Sequence, residues 1–338
     1  RVGRKLKVGD KCEVLKGRSW WKCVVVDVAG GLIEMEYEGT SKRRLKEDVD
    51  SERIRVVDPD KDGQEVNLTD GMVVDGYSNF LIRLLEKDLD IQLKTKVTGV
   101  SVTPRSKARG RRPCSVTVTR QSEEGRWGPE EVVDADYVIV TLPLGVLKKA
   151  MVDESIRFSP SLPREKVTAI TQLGMGTENK VVLRFKKVFW PAEEPYLQTT
   201  EVSLRIINGH YFGKANTLIV HISPQIPYGD WANEQILDFV LAALKRMFGH
   251  KRLPEIIDHC VTRWDVDEFS LGSYSFMQKG SHSQHIRDLA QPSHGGCVLW
   301  AGEACSVEGQ QCVHGAYVSG QQAADHVLRG MAKEEGGK

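Results

Sequence analysis

Residues Leu299 to Ala324 read LWAGEACSVEGQQCVHGAYVSGQQAA. An apolar run closes on Gly302-Glu303, a short polar loop follows, and a helix starts among small residues. The run Cys297–Gly302 predicts a strand. The spacing of Ala316, Gly320, Ala323, Ala324 and Val327 predicts one face of a helix from Gly315 to about Leu328. Side chains this small let another group come very close. A helix N-terminus offers free N–H groups and partial positive charge, so it can hold electron-rich oxygens of a ligand. Glu303, at the strand end, would repel a phosphate but can accept hydrogen bonds from ribose-like hydroxyls. A nucleotide cofactor with a polyol satisfies both features; a small-residue helix tucked against a sheet satisfies the first alone.

The rest of the chain divides by pattern. Residues 1–57 hold short β-like runs, CEVLKG, WWKCVVVDVA, LIEMEYEG and RIRVV, broken near Gly17, Gly30-Gly31 and Gly39. Such spacing predicts a small antiparallel β-barrel. An acidic, turn-rich linker occupies 58–75. From 76 to 150 the expected elements are a helix over Tyr77–Asp88, strands at Asp90–Lys94 and Val97–Val102, a basic hairpin loop at Pro104–Pro113, and the strand CSVTVTR. ADYVIVTLP then reads as a strand buried on both faces of a parallel sheet. Between 151 and 275 a helix near Arg164–Leu173 precedes strands at Lys180–Phe185, Val202–Ile207 and Thr217–Ile222. An amphipathic helix follows over Asn233–Phe248, then a strand near Ile257–Trp264. The fold class is therefore mixed, α/β with α+β character.

Lys+Arg number 47 and Asp+Glu 46, so no global field points to nucleic acid or membrane. No apolar run reaches the length of a bilayer span. The seven cysteines form no CxxC pair, which indicates neither a zinc site nor a disulfide framework; a reducing, intracellular compartment is the simplest expectation.

Beyond these patterns, DGYSNF, VTLPLGVLKK, LGMGTENKVVLRFKKVFW, RW…GSYSF and AGEACS…VHGAYVSGQQAA occur in order. Together they resemble the flavin amine oxidase family, closest to its histone demethylase and polyamine oxidase branches. The resemblance implies an FAD-binding domain (76–150 and 276–332) interleaved with a substrate domain (151–275). It implies non-covalent FAD, because Ser275 stands where monoamine oxidases carry the linking cysteine. By similarity, Val97 lies on the adenine side, Thr141, Leu142 and Pro143 end a strand beside the cofactor, and Glu303 binds its hydroxyls. Cys312, Val313 and Ala316 lie near the flavin ring, with Cys312 also facing substrate. Trp264 and Phe276 are aromatic walls for the amine, Phe276 at a cage position often Tyr. Lys180, at an NK-type strand start, holds a water against the reactive flavin nitrogen. No metal is implied. The reaction expected is oxidation of a C–N bond to an imine with O2 as acceptor and H2O2 released. The leading reading of the substrate is a methylated-lysine peptide, such as a histone tail; a polyamine is the alternative.

Residues 5–57 are similar to Tudor-like barrels, which read methylated side chains through aromatic cages; Trp20, Trp21 and Tyr37 are the candidates. A chromatin-binding module on an inactive oxidase remnant is the non-enzymatic alternative, and a nuclear location goes with either chromatin reading. No strand–GxGxxG–helix fingerprint occurs in residues 1–57. The sequence, which starts at Arg1, is expected to be a fragment that binds FAD poorly alone.

Overall fold

Between Met72 and Val73 the chain divides into two units. The computed structural model describes the backbone of 11–16, 19–29, 32–37, 44–48 and 54–56, and then residues 72–73, 76–77, 89–104, 112–199, 204–249 and 252–336. In the first unit β1 (Lys11–Lys16), β2 (Ser19–Ala29), β3 (Leu32–Tyr37), β4 (Arg44–Asp48) and β5 (Ile54–Val56) form one antiparallel sheet, ordered β4-β3-β2-β1-β5. Its register pairs Trp20 with Leu15, Trp21 with Val14 and Tyr37 with Cys23. The side chains of the proposed cage, any closure into a barrel, and most of the acidic linker lie outside the described residues.

The second unit begins with a hairpin. β6 (Thr95–Val102) and β7 (Cys114–Gln121) are antiparallel, and the basic segment connects them as expected, with 105–111 outside the described residues. β8 (Trp127–Ala135) adds an antiparallel edge and β10 (Arg157–Ser159) joins β6 in parallel. Pro129 fits the edge strand, which has an unpaired side. The strand expected at Asp90–Lys94 does not form; pairing starts at Thr95. Leu89, Ile91 and Leu93 are exposed, Leu93 by 81%, so the apolar alternation there has no surface to bury against.

β9 (Val138–Val140) and β18 (Val298–Trp300) form a parallel pair. The parallel pairing agrees with the apolar run, although Ile139 is 40% exposed. Around this pair pack α1 (Leu144–Asp153), α2 (Arg164–Gln172), α4 (Ser283–Ala290) and α5 (Val313–Gly336). Leu144, Leu147, Ile170, Leu173, Leu289 and Trp300 belong to the core that α1, α2 and α4 share with the pair, and α5 packs through Ala323. Pro143 and Pro163 immediately precede α1 and α2, where a fixed φ starts a helix at no hydrogen-bond cost.

A separate five-stranded sheet carries the order β13-β14-β15-β12-β16, from Tyr196–Gln198, Arg205–Asn208, Thr217–Ile222, Asn179–Phe185 and Ile256–Val261. All its pairings are antiparallel. α3 (Asn233–Phe248) covers it, burying the anticipated stripe of Ile236, Val240, Ala243 and Leu244. A short ladder of β11 (Gly174–Gly176) and β17 (Tyr274–Phe276) stands apart from both larger sheets.

Candidate functional site

A cavity of about 350 Å³ opens beyond the carboxyl ends of the parallel pair. Thr141, Leu142 and Pro143 follow β9 into it; Ala301, Gly302 and Glu303 follow β18. In open parallel sheets this is where ligands bind, because loops diverge there and helix N-termini converge. Met175 and Trp264 supply further apolar wall, and Ala316 places the first turn of α5 against it. Gly302 sits at φ 132, and a Cβ there would meet no atom within 4 Å, so the backbone leaves open space on that side.

The short turn Glu303–Cys305 holds the cavity's carboxylate. Glu303 Oε1 accepts from the Ser275 N–H at 2.9 Å, and Oε2 accepts from Ser275 Oγ at 2.7 Å and the Gln311 N–H at 2.8 Å. Ser275 is fully buried and also accepts from Gln310 Nε2. A carboxylate offers about four lone-pair positions. Three are occupied by the chain, leaving one for a ligand hydroxyl. Apolar walls, one remaining acceptor and a bare glycine suit the flat ring and polyol of a flavin.

Close packing explains the glycines of the closing motif. A side chain on Gly315 would overlap the Gly309 carbonyl. The loop before α5 therefore folds directly onto the helix start. Farther along, Ala323 packs against Leu299 and Ala301 under Tyr137 and Val327.

Asn179 positions Trp264. Its amide is fully buried; Oδ1 accepts from the Trp264 N–H at 2.8 Å, and Nδ2 donates to Asp265 at 2.8 Å. Asn179 thus ties the start of β12 to the loop carrying the cavity's indole. Lys166 does similar work for α4. Its buried ammonium donates to the carbonyls of Asp288, Leu289 and Gln291 and lies 4.4 Å from the Trp300 ring centre. Burial pulls its pKa down to about 8. Cys305 lines the cavity as well, and burial pushes its thiol up to about 12, so it stays protonated at neutral pH.

A second cavity, about 640 Å³, lies on the β13-β14-β15-β12 sheet. It is lined by Glu178, Tyr196, Arg205, His221, Tyr274 and Cys312 among others. Glu178 Oε1 accepts from Arg205 Nη2 at 2.8 Å and from His221 Nδ1 at 3.2 Å. The Nδ1 bond leaves Nε2 as the bare nitrogen of a neutral ring, and that atom is buried without a partner. Burial lowers the His221 pKa, against the opposing pull of Glu178. Burial, then the Glu178 charge, raises that of Tyr274.

The two cavities meet at α5. Gln311 and Cys312 line the second, and Ala316, whose N–H donates to the Cys312 carbonyl, lines the first. The fold thus gathers Thr141, Leu142, Pro143, Trp264, Glu303 and Ala316 at the first cavity and sets Cys312 in the second. Four other expected residues line neither. Val97, within β6, packs against the core. Val313 is exposed. The Phe276 ring covers Gly174, where a Cβ would come within 2.6 Å of it. Lys180 is half-buried opposite His221 on β15, with its backbone N–H donating to Thr262 Oγ1 at 2.8 Å. Sequence reasoning did not single out Glu178, Asn179, Arg205, His221 or Tyr274. The first two lie inside GMGTENK, so that motif was the available signal. His221 and Arg205 come from strands distant in the chain, and no local pattern marks them.

An apolar cleft that suits a nucleotide-type cofactor adjoins a polar pocket across one helix turn in this mixed α/β fold. A family model described as flavin containing amine oxidoreductase matches residues 35–328. The probable polyamine oxidase 4 of Arabidopsis thaliana is 33% identical over 264 residues, covering 77% of this chain and 48% of its own. Polyamine oxidase 5 of Oryza sativa subsp. japonica is 32% identical over 271 residues, covering 79% and 50%. Lysine-specific histone demethylase 1 homolog 3 of Arabidopsis thaliana is 31% identical over 266 residues, covering 76% and 16%. Cyclohexylamine oxidase from Brevibacterium oxydans IH-35A shares the fold, with a TM-score of 0.54 at 20% identity over 70% of this chain and 48% of that one. The chain belongs to the flavin-containing amine oxidoreductase family, whose cofactor is FAD. It spans about half the length of the polyamine oxidases it matches.

Among the described residues no helix is long and apolar enough to cross a membrane, and no three metal-ligating side chains cluster.

Proposed function

We propose that the complete protein is an FAD-dependent amine oxidase with a polyamine as its substrate. What carries this reading is the meeting of the two cavities at the first turn of α5. Thr141, Leu142, Trp264, Glu303 and Ala316 would hold the cofactor's ring and hydroxyls. Bound there, FAD supplies a two-electron acceptor that takes hydride from the carbon beside a neutral amine and passes both electrons to O2 as H2O2; the imine left behind hydrolyses to an aldehyde and an amine. Trp264, Met175 and Leu142 keep water from that carbon. Lys180, one residue beyond the Asn179 anchor, contributes a positive charge that favours reduction of oxygen.

Sequence analysis put methylated lysine first. The second cavity favours the polyamine: the Glu178 side chain is 12% exposed against 70% for Arg205, so its carboxylate is the less screened of the two charges, and Leu197, Ile206 and Ile207 offer apolar wall to the methylenes between ammonium groups. Relatives named as polyamine oxidases support the same choice. The five-stranded sheet of the first unit supports a Tudor-like module. With it comes the second reading, a methyl-lysine demethylase in the nucleus.

Peroxide release from full-length protein supplied with spermine or a methyl-lysine peptide separates these outcomes. Peroxide from spermine is expected, peroxide from the peptide alone would establish the demethylase, and none from either would overturn the oxidase. Lys180→Met should slow oxygen-dependent reoxidation on the order of 100-fold, read by stopped-flow absorbance.

A further inference from the structure

Glu178 is the second cavity's one carboxylate among the described lining residues, and only half of it is committed. Oε1 takes both Arg205 and His221, whereas Oε2 makes no hydrogen bond to any described residue. The Glu178 side chain is 12% exposed, the Arg205 side chain 70%. Water screens the guanidinium far more than the carboxylate. The cavity's effective field is therefore that of a partly buried anion with an open acceptor position. Leu197, Ile206 and Ile207 line the same cavity and offer apolar wall for a methylene chain. Oε2 is open to the cavity, where a bound ammonium would donate to it in a charge-assisted hydrogen bond.

The position of Glu178 is fixed relative to the first cavity. Its N–H donates to Ser273 Oγ at 2.7 Å, and Ser273 Oγ donates back to its carbonyl at 2.7 Å. Ser273 lines the first cavity. His221, held by β15, sets the rotamer of Glu178 from the other side.

We infer that Glu178 Oε2 is the anchor for a second, distal ammonium of the substrate, so that this pocket selects diamines and longer polyamines over monoamines. The inference rests on the amine-oxidase reading and adds the residue that sets chain preference. Arg205 then acts as a brake, competing with the substrate for the same carboxylate.

The test is a pair of calorimetric titrations on the full-length flavin-loaded protein, with spermidine and with butylamine. The quantity read is the ratio of the two affinities. Glu178→Gln, which keeps the shape and the acceptor for His221, should lower the spermidine-to-butylamine ratio about tenfold. Arg205→Gln, at an exposed position, should raise it. A ratio unchanged in Glu178→Gln overturns the inference. Should that variant fail to fold, an Arg205→Gln ratio equal to or below wild type overturns it. Anaerobic bleaching of the wild-type flavin by spermidine reports the oxidase reading separately. Bleaching with an unchanged ratio sinks the anchor alone. Absence of bleaching with a lowered ratio leaves a polyamine-binding pocket and sinks the oxidase.

Discussion

Each of the two cavities carries a glutamate, and the two are used in opposite ways. Glu303 accepts three hydrogen bonds from Ser275 and Gln311, which draw β17 and the loop before α5 together. Glu178 accepts from one long arginine and one histidine on a single oxygen, and keeps the other. The first carboxylate is mostly architecture, with one position to spare. The second is mostly recognition. Residue type does not separate them; the donors that the fold brings to each oxygen do.

The largest effect expected from breaking this arrangement comes at the helix start joining the cavities. Gly315→Ala would force its Cβ into the Gly309 backbone. The cost should be about 3 kcal/mol or more, a drop of roughly 10 °C in Tm by calorimetry. Asn179→Ala comes next. It strands the Trp264 N–H and leaves the Asp265 carboxylate to Arg263 alone, at about 1–3 kcal/mol, and the freed Trp264 should show red-shifted emission.

Glu303→Gln sharpens the comparison directly. Its amide would turn a donor toward either Gln311 N–H or Ser275, costing about 1–3 kcal/mol. Glu178→Gln should leave Tm nearly unchanged and alter only ligand preference. Equal melting losses for the two variants would erase the distinction between them.

The smallest effect is the pH response of His221. Its folded pKa lies below the ordinary 6.5, chiefly through burial, so the unfolded chain takes up the proton first. Stability should fall as pH drops below about 6.5, and His221→Gln should flatten that slope, by a few degrees of Tm at most. Thermal melts at pH 7 and pH 5 check it.

Much of the framework was legible in the chain itself. The stripe at Asn233–Phe248 gave its helix with both bounds, since 3.6-residue periodicity is a local property. Thr217–Ile222 formed as expected, and so did the hairpin around the basic segment. The motif at Leu299–Ala324 yielded a strand and a helix, with the strand cut to Val298–Trp300 and the helix extended from Val313 to Gly336. Asp90–Lys94 shows the limit: an apolar alternation becomes a strand only where another surface covers it.

Site chemistry divides the same way. The order of motifs was enough to place the chain in an FAD-dependent family, because each motif is contiguous and carries its own turn, glycine or strand end. Which carboxylate is occupied, which indole is anchored and which imidazole is neutral depended on pairs such as Asn179 with Trp264, Glu303 with Ser275 and Glu178 with His221. Those partners lie 28 to 85 residues apart in the chain. Hydrogen bonds act over about 3 Å, so only the folded chain, by bringing such distant segments into contact, could decide them.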